Sequence, residues 1–442
     1  MIPFVVKKRS IPRGKIKVPG DKSIAHRALL ISALAHGITV IKNFPIHDDS
    51  YATLNALVAL GVKIVPRSNQ ISVWGKSKRG LLLSQPRKPI FVNNSGTTLR
   101  LLLGLLAGQD FKTKLTAGKY LTLRPMARVN IPLRMMGAGI IAQNKGPQEY
   151  PPIIINGNIY LKGISYFLPV ASAQVKSAIL LAGLFAKGKT TVIERIATRD
   201  HTERMLKLFG ANIIIKKNHI ILNPGRNLVS PGEICIPGDI SSAAFFITLA
   251  AISPKAKITI EGVGLNPSRC GIINVLKRMQ AKIRLEYVKK SKTKSAEPFG
   301  NIIVNNSRLK STVVNPGEIP SLIDELPVLM VAACFAQGKT IIKSVGELRV
   351  KETDRINSNV MNLSRMGADI RVVKTGSRED VVINGKGALH GAKLKSFGDH
   401  RTAMSMVVAA MAAEGKSEID DVSCMSKSFP GFLSTLKSLI RN

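Results

Sequence analysis

Gly20-Asp21-Lys22-Ser23-Ile24-Ala25-His26-Arg27 sets a lysine, a hydroxyl and an arginine around the start of a predicted helix. There the unbonded backbone N–H groups and the helix dipole favour an anion, so Lys22, Ser23 and Arg27 could reach one phosphate. An N-cap Asp or Ser flanked by surface charges fits the same spacing, and spacing alone leaves both readings open. Asn93-Asn94-Ser95-Gly96-Thr97-Thr98-Leu99-Arg100 repeats the logic with small residues that let the backbone approach a ligand. Arg349-Val350-Lys351-Glu352-Thr353-Asp354-Arg355 crowds cations and carboxylates into one short run, which on a solvated helix would be ordinary ion pairing. Gly398-Asp399-His400-Arg401 and Ser426-Lys427-Ser428-Phe429-Pro430 each add a cation at a turn or helix start. The common pattern is a cation beside a helix start, which suits phosphorylated or carboxylated ligands. The histidines show no H-x-x-x-H or other ligand spacing, so no metal is expected.

One match misleads. Gly183-x-x-x-x-Gly188-Lys189-Thr190 fits the phosphate-loop pattern, but that loop needs a strand before it and a helix after it. Here 174–186 reads as an apolar helix and 190–196 as a strand, the inverse order. Gly338-Lys339-Thr340 repeats the same letters, which makes them punctuation of a repeat.

That repeat supplies the elements. A small turn between an apolar helix end and a β-branched run recurs at Gly37, Gly108, Gly188, Lys255, Gly338 and Gly415, giving six units of about 75 residues. A second phrase follows in register at LGVKI (60–64), MGAGI (136–140), FGANI (209–213), MQAKI (279–283) and MGADI (366–370). It reads as a helix, a left-handed cap and a strand. Each unit is therefore a β/α element with two helices. Pro19-Gly20-Asp21 and Pro237-Gly238-Asp239 stand half a chain apart, each leading into a helix, and imply two domains of three units.

A chain of 442 residues calls for two domains or more, and 45% hydrophobic with 21% charged residues is a globular composition. The longest apolar stretches, 178–186 and 327–336, reach about half a membrane span. MIPFVVKKRS has its apolar tract ahead of its charges, the wrong order for a secretory signal, so a cytoplasmic protein is expected. Cys235, Cys270, Cys334 and Cys424 lie far apart without C-x-x-C pairing and read as small core residues. The net charge of +38 suggests nucleic acid first, yet the basic clusters are short and scattered, with few aromatics and no stacking motif. A solvated lysine surface is the better reading, with no specific nucleic acid and no membrane as partner.

PGDKSIAHR (19–27), NSGTTLR (94–100), LRPM (123–126), SAQVKSA (172–178), RDHTE (199–203), IDELP (323–327), RVKETDR (349–355), DHR (399–401) and KSFP (427–430) together resemble the 5-enolpyruvylshikimate-3-phosphate synthase family over nearly the whole chain. SAQVKSA and RDHTE look like its second bacterial class, and Leu101 and Ala173 depart from the first. The resemblance implies a two-domain inside-out α/β barrel, the enolpyruvyl transferase fold, with six βαβαββ units. Residues 1–20 would join 239–442 in one domain, 21–238 would form the other, and the active site would lie in the cleft between them.

The implied reaction transfers the enolpyruvyl group of phosphoenolpyruvate to the 5-hydroxyl of shikimate 3-phosphate, without metal or cofactor, in a monomer. By resemblance, shikimate 3-phosphate contacts Lys22, Ser23, Arg27, Ser172, Ala173, Gln174, Arg199, Asp324 and Lys351. Phosphoenolpyruvate contacts Lys22, Asn94, Gly96, Arg124, Gln174, Arg355, Arg401 and Lys427, where arginine forks suit phosphate and carboxylate. Asp324 would accept the hydroxyl proton, and Lys22 and Glu352 would handle the proton at the methylene carbon. Eight cations thus face two carboxylates, close to the charge of both ligands. The family's inhibitor glyphosate occupies the phosphoenolpyruvate pocket, and Gly96 would permit it here, while Leu101 and Ala173 leave sensitivity to it open. The related transferase acting on UDP-N-acetylglucosamine relies on a loop cysteine and lacks the DKSxxHR and KETDR motifs, and a basic nucleic-acid scaffold would show no transfer at all.

Overall fold

The computed structural model describes residues 3–7, 11–76, 83–287, 296–376 and 378–440. They divide into two compact units. One, the 20–236 unit, also takes Ala296 and Glu297. The other, the 237–440 unit, also takes the chain up to Pro19.

Six small sheets appear among the described residues, three in each unit. In five of them four strands follow one plan, in which the first strand runs parallel to the second and the third and fourth close as an antiparallel pair. Parallel neighbours cannot be joined by a tight turn, so where the first and second strands are successive in the chain a helix lies between them. In two sheets that first strand comes from beyond a crossing point of the chain. Arg13–Lys17 pairs with Lys257–Gly264, and Glu233–Cys235 pairs with His36–Lys42. The sixth sheet has three strands, because Phe4–Val6 pairs antiparallel with Ser417–Ile419 where a hairpin would otherwise stand.

The helices that precede the repeat turns are apolar all round and form the interior, while the sheets lie outside them. Every residue of Ile240–Ile252 and of Leu326–Cys334 is buried, as is all but one residue of Gly96–Ala107. In the 237–440 unit, Ile240–Ile252, Leu326–Cys334 and His400–Ala412 pack on one another. In the 20–236 unit, Gly96–Ala107 packs against both Lys22–Leu34 and Ala173–Gly183. The apparent phosphate loop is what the repeat implied, with Ala173–Gly183 ahead of the turn and a strand after it. That strand ends at Ile193 and not at 196, since Glu194 turns the chain into a loop.

The repeat phrases have a backbone basis. Gly61, Gly137, Gly210, Gln280 and Gly367 all have positive φ, from 69° to 107°, at the helix end. Of the six turn positions, Gly108 departs from the left-handed pattern at φ −95°. It is glycine for lack of room, since a Cβ there would stand 2.2 Å from the Phe185 ring. The duplicated Asp21 and Asp239 are matching caps, at φ/ψ of −62°/120° and −71°/118°. Cys270, Cys334 and Cys424 are buried, whereas Cys235, expected in the core, is partly exposed at a strand end. Among the described residues no helix is long and apolar enough to cross a membrane.

Candidate active site

In the 20–236 unit three buried helices begin at the residues singled out above. Asp21 accepts from the N–H of Ile24, Ser95 from Thr98 and Ser172 from Val175, capping Lys22–Leu34, Gly96–Ala107 and Ala173–Gly183. Lys22 and Ser23, Gly96, and Ala173 and Gln174 thus stand at positive helix ends. Side chains tie these ends into a ring. Lys22 is ion-paired with Asp49, whose carbonyl accepts from the Thr98 hydroxyl, and that hydroxyl also meets Ser95. Thr97 Oγ1 accepts from Gln174 Nε2 at 2.9 Å. Arg27 closes the ring, donating to Ser177 Oγ and to the Ser23 carbonyl, both at 2.8 Å, and to Thr202 Oγ1 at 2.7 Å.

Arg27 is buried, and burial pulls its pKa down to about 10 against the pull of Glu203 and Asp21. Its three hydrogen bonds go to neutral oxygens. A dianionic phosphate would supply the charge that this cation lacks. Arg100, which the site reading omitted, holds Gln174 in place through Nη1 to Oε1 at 2.7 Å. A Cβ on Gly96 would stand 2.9 Å from Arg100 Nη1 and 3.0 Å from Arg124 Nη1, so glycine lets two guanidinium groups gather at this helix start. Asn94 accepts from the N–H groups of Tyr120 and Leu121 through Oδ1, which braces the loop leading to Arg124.

Arg199 sits on a loop with a buried anchor. Lys176 Nζ lies 3.1 Å from Glu194 and 2.6 Å from Glu203, with all three side chains nearly or fully enclosed. Glu194 accepts from both the N–H and the hydroxyl of Thr198. Both ends of the 194–203 loop are thereby clamped to one ammonium. Burial raises the Glu203 pKa, and Lys176 opposes it.

The 237–440 unit gathers its predicted residues around Arg355. Its Nε donates to Asp399 at 2.9 Å, its Nη1 to Asp324 at 3.5 Å, and its Nη2 lies 3.8 Å from Glu352. Burial alone would lower the Arg355 pKa, but Asp399, Glu352 and Asp324 outweigh it and push it up. Asp399 is held below its usual range because Arg355 overcomes the effect of burial. Asp399 also caps His400–Ala412, accepting from the N–H groups of Arg401 and Thr402. Arg401 Nη1 donates to the Asp324 carbonyl at 3.2 Å, and Lys427 Nζ to that of Gly398 at 3.0 Å. His400 Nδ1 lies 2.9 Å from Glu352. Lys351 is half-buried beside Glu352. Arg349 turns away from this centre, held by Asp354 and Glu379 at 2.6 Å each.

Two carboxylate and histidine clusters have ligand-like geometry that linear spacing did not reveal: Asp200, His201 and Glu297, and Glu352, Asp399 and His400. Each already contains a guanidinium. Arg204 lies 2.7 Å from Asp200 and 3.8 Å from Glu297, and Arg355 serves the second cluster. Carboxylates already paired with guanidinium groups make both read as ion-pair networks. The charge count taken from motifs also changes, because Asp49 and Arg100 join the helix starts of one unit and Asp399 the Arg355 network of the other. Arg100 and Lys176 had a usable signal, being lone cations within apolar helices, where full burial requires partners. Asp49 had none.

The EPSP synthase (3-phosphoshikimate 1-carboxyvinyltransferase) family model matches residues 6–436. A 3-phosphoshikimate 1-carboxyvinyltransferase of Desulforamulus reducens is 45% identical over 429 residues, covering 97% of each chain. The solved EPSP synthase of Acinetobacter baumannii matches with a TM-score of 0.87 at 39% identity, over 99% of this chain and 98% of that one. The enolpyruvyl transferase NikO of Streptomyces tendae shares the fold at a TM-score of 0.76 and 15% identity, over 99% of this chain and 97% of that one. With its interior helices, its six outer sheets and a match of this extent, the chain belongs to the EPSP synthase family.

Proposed function

We propose that the helix starts of the 20–236 unit and the Arg355 network of the 237–440 unit act on one pair of substrates, phosphoenolpyruvate and shikimate 3-phosphate. The family's reaction adds the 5-hydroxyl oxygen to C2 of phosphoenolpyruvate while C3 takes a proton. Loss of that proton and of phosphate then restores the double bond.

Ser23, Arg27, Ser172, Ala173, Gln174, Arg199 and Lys351 are assigned to shikimate 3-phosphate. Asn94, Gly96, Arg124, Arg355, Arg401 and Lys427 are assigned to phosphoenolpyruvate. Asp324 takes the hydroxyl proton. Its carboxylate stands 3.5 Å from Arg355 Nη1. Lys22 and Glu352 manage the proton at C3. The observation that carries the assignment is the closed ring joining three helix starts through Arg27, a buried cation bonded to neutral oxygens.

We further place the protein in the cytoplasm as a monomer. Its four cysteines are free, as a reducing compartment would keep them. Purified protein mixed with both substrates should release inorganic phosphate without added metal. Silence in that assay across several buffers would overturn the assignment.

A further inference from the structure

The outer face of the sheet that contains Arg13–Lys17 carries a depression of about 670 Å³ that the substrate assignment does not use. Strand register builds it. Arg13, Lys257, Asn305 and Lys282 form one rung across all four strands, and Lys15 stands beside Thr259 on the next. Lys255 closes the end, its carbonyl accepting from Arg13 Nε at 3.0 Å. Five cations thus line the depression, with no carboxylate among the described lining residues.

Two features of this face cost stability, and an anion would offset the first. Arg13 and Lys257 are directly opposed across a parallel pair, and like charges so placed repel. Lys255 also occupies the turn position that is glycine in the other five repeats, and it does so at φ +57°, a conformation unfavourable to a side chain.

We propose that this face is a second anion site that binds a linear oligophosphate. The volume suits a small ligand. The lining has no aromatic ring on which a base could stack. Four of the five cations are lysines, which bind phosphate as point charges, and three linked phosphates would carry roughly the matching charge.

The test is calorimetric titration with tripolyphosphate near physiological salt, in an equilibrated mixture of both substrates and their products so that the substrate residues are occupied. One site is expected, with affinity reduced at least about tenfold in Lys15→Glu/Lys257→Glu. In Lys216→Glu/Lys217→Glu, which removes the same charge from the other unit, affinity should stay unchanged. Enolpyruvyl transfer should be unaffected in both variants.

Absence of binding, or equal weakening in both variants, would mean diffuse surface charge and overturn the proposal. ATP binding as tightly as tripolyphosphate would show that the phosphate chain alone is read. ATP binding more than about tenfold tighter would overturn the assignment to an oligophosphate. Because the readout is a difference between two surface variants, it does not depend on the enolpyruvyl transfer reading.

Discussion

Arg27 and Arg355 are both buried guanidinium groups near a helix start, and their surroundings differ in kind. Arg27 is bonded to a carbonyl and two hydroxyls, and burial depresses its pKa to about 10. Arg355 is surrounded by Asp399, Asp324 and Glu352, and its pKa is driven up. Taking a phosphate beside Arg27 adds a counter-charge that its hydrogen-bond partners do not supply, whereas Arg355 is already compensated and holds Asp399 below its usual range. The 20–236 unit thus sets a buried arginine among neutral oxygens, and the 237–440 unit sets one among carboxylates.

The hardest test of that division is Asp324→Asn. It should lower kcat by roughly 10²- to 10⁴-fold, the usual contribution of a positioned base, with shikimate 3-phosphate affinity within a few fold of the parent. Comparable losses in binding and turnover would erase the distinction. Lys176→Met probes the other unit from beneath. It leaves Glu194 and Glu203 without their shared cation, and breaking such a buried pair costs about 3–5 kcal/mol, read as a lower denaturation midpoint. In the surviving folded protein, KM for shikimate 3-phosphate should rise more than KM for phosphoenolpyruvate, because the loosened loop carries Arg199. Equal changes in both constants would detach the clamp from the ligand. Arg27→Ala should weaken shikimate 3-phosphate by about 10- to 150-fold, the worth of hydrogen bonds to a charged group at about 1.5–3 kcal/mol. Its kcat should be far less affected.

The sequence shows these two environments unequally. The helix starts were readable because caps and glycines are local signals: Asp21, Ser95 and Ser172 lie directly beside the groups they cap. The repeat was readable for the same reason, since a left-handed residue after each helix leaves a fixed phrase, even where Gln280 replaces glycine. Partners brought together by folding left no such trace. Asp49 meets Lys22 from 27 residues away, and Asp399 meets Arg355 from 44. Motif letters showed the charges in RVKETDR but not that Arg349 turns toward Glu379 while Arg355 turns inward. The three-stranded sheet was equally hidden, because Phe4–Val6 finds its partner more than 400 residues away.

The smallest effect concerns His26, which sits under the same ring as Arg27. Its Nδ1 meets the Thr53 hydroxyl at 2.6 Å, and Thr53 in turn meets Thr98, so the imidazole supports the start of Gly96–Ala107. Burial pushes its pKa down to about 3, with Asp49 pulling weakly the other way. In the unfolded chain the ring takes a proton below about pH 6.5, whereas in the fold it stays neutral down to about pH 3. The unfolded state therefore binds more protons throughout that window. Stability falls as pH drops through it, by up to about 1.4 kcal/mol per pH unit from this group, and does not depend on it above. His26→Gln should flatten the slope between pH 6.5 and 5, ahead of most carboxylate titration. Trp74, the single tryptophan, lies on Gln70–Lys76 and reports the 20–236 unit during urea unfolding. A slope that survives His26→Gln would mean that the ring is charged in the fold. Asp49 would then be shared between that ring and Lys22, and the ring of helix starts would hold more uncompensated positive charge for a phosphate than Arg27 alone implies.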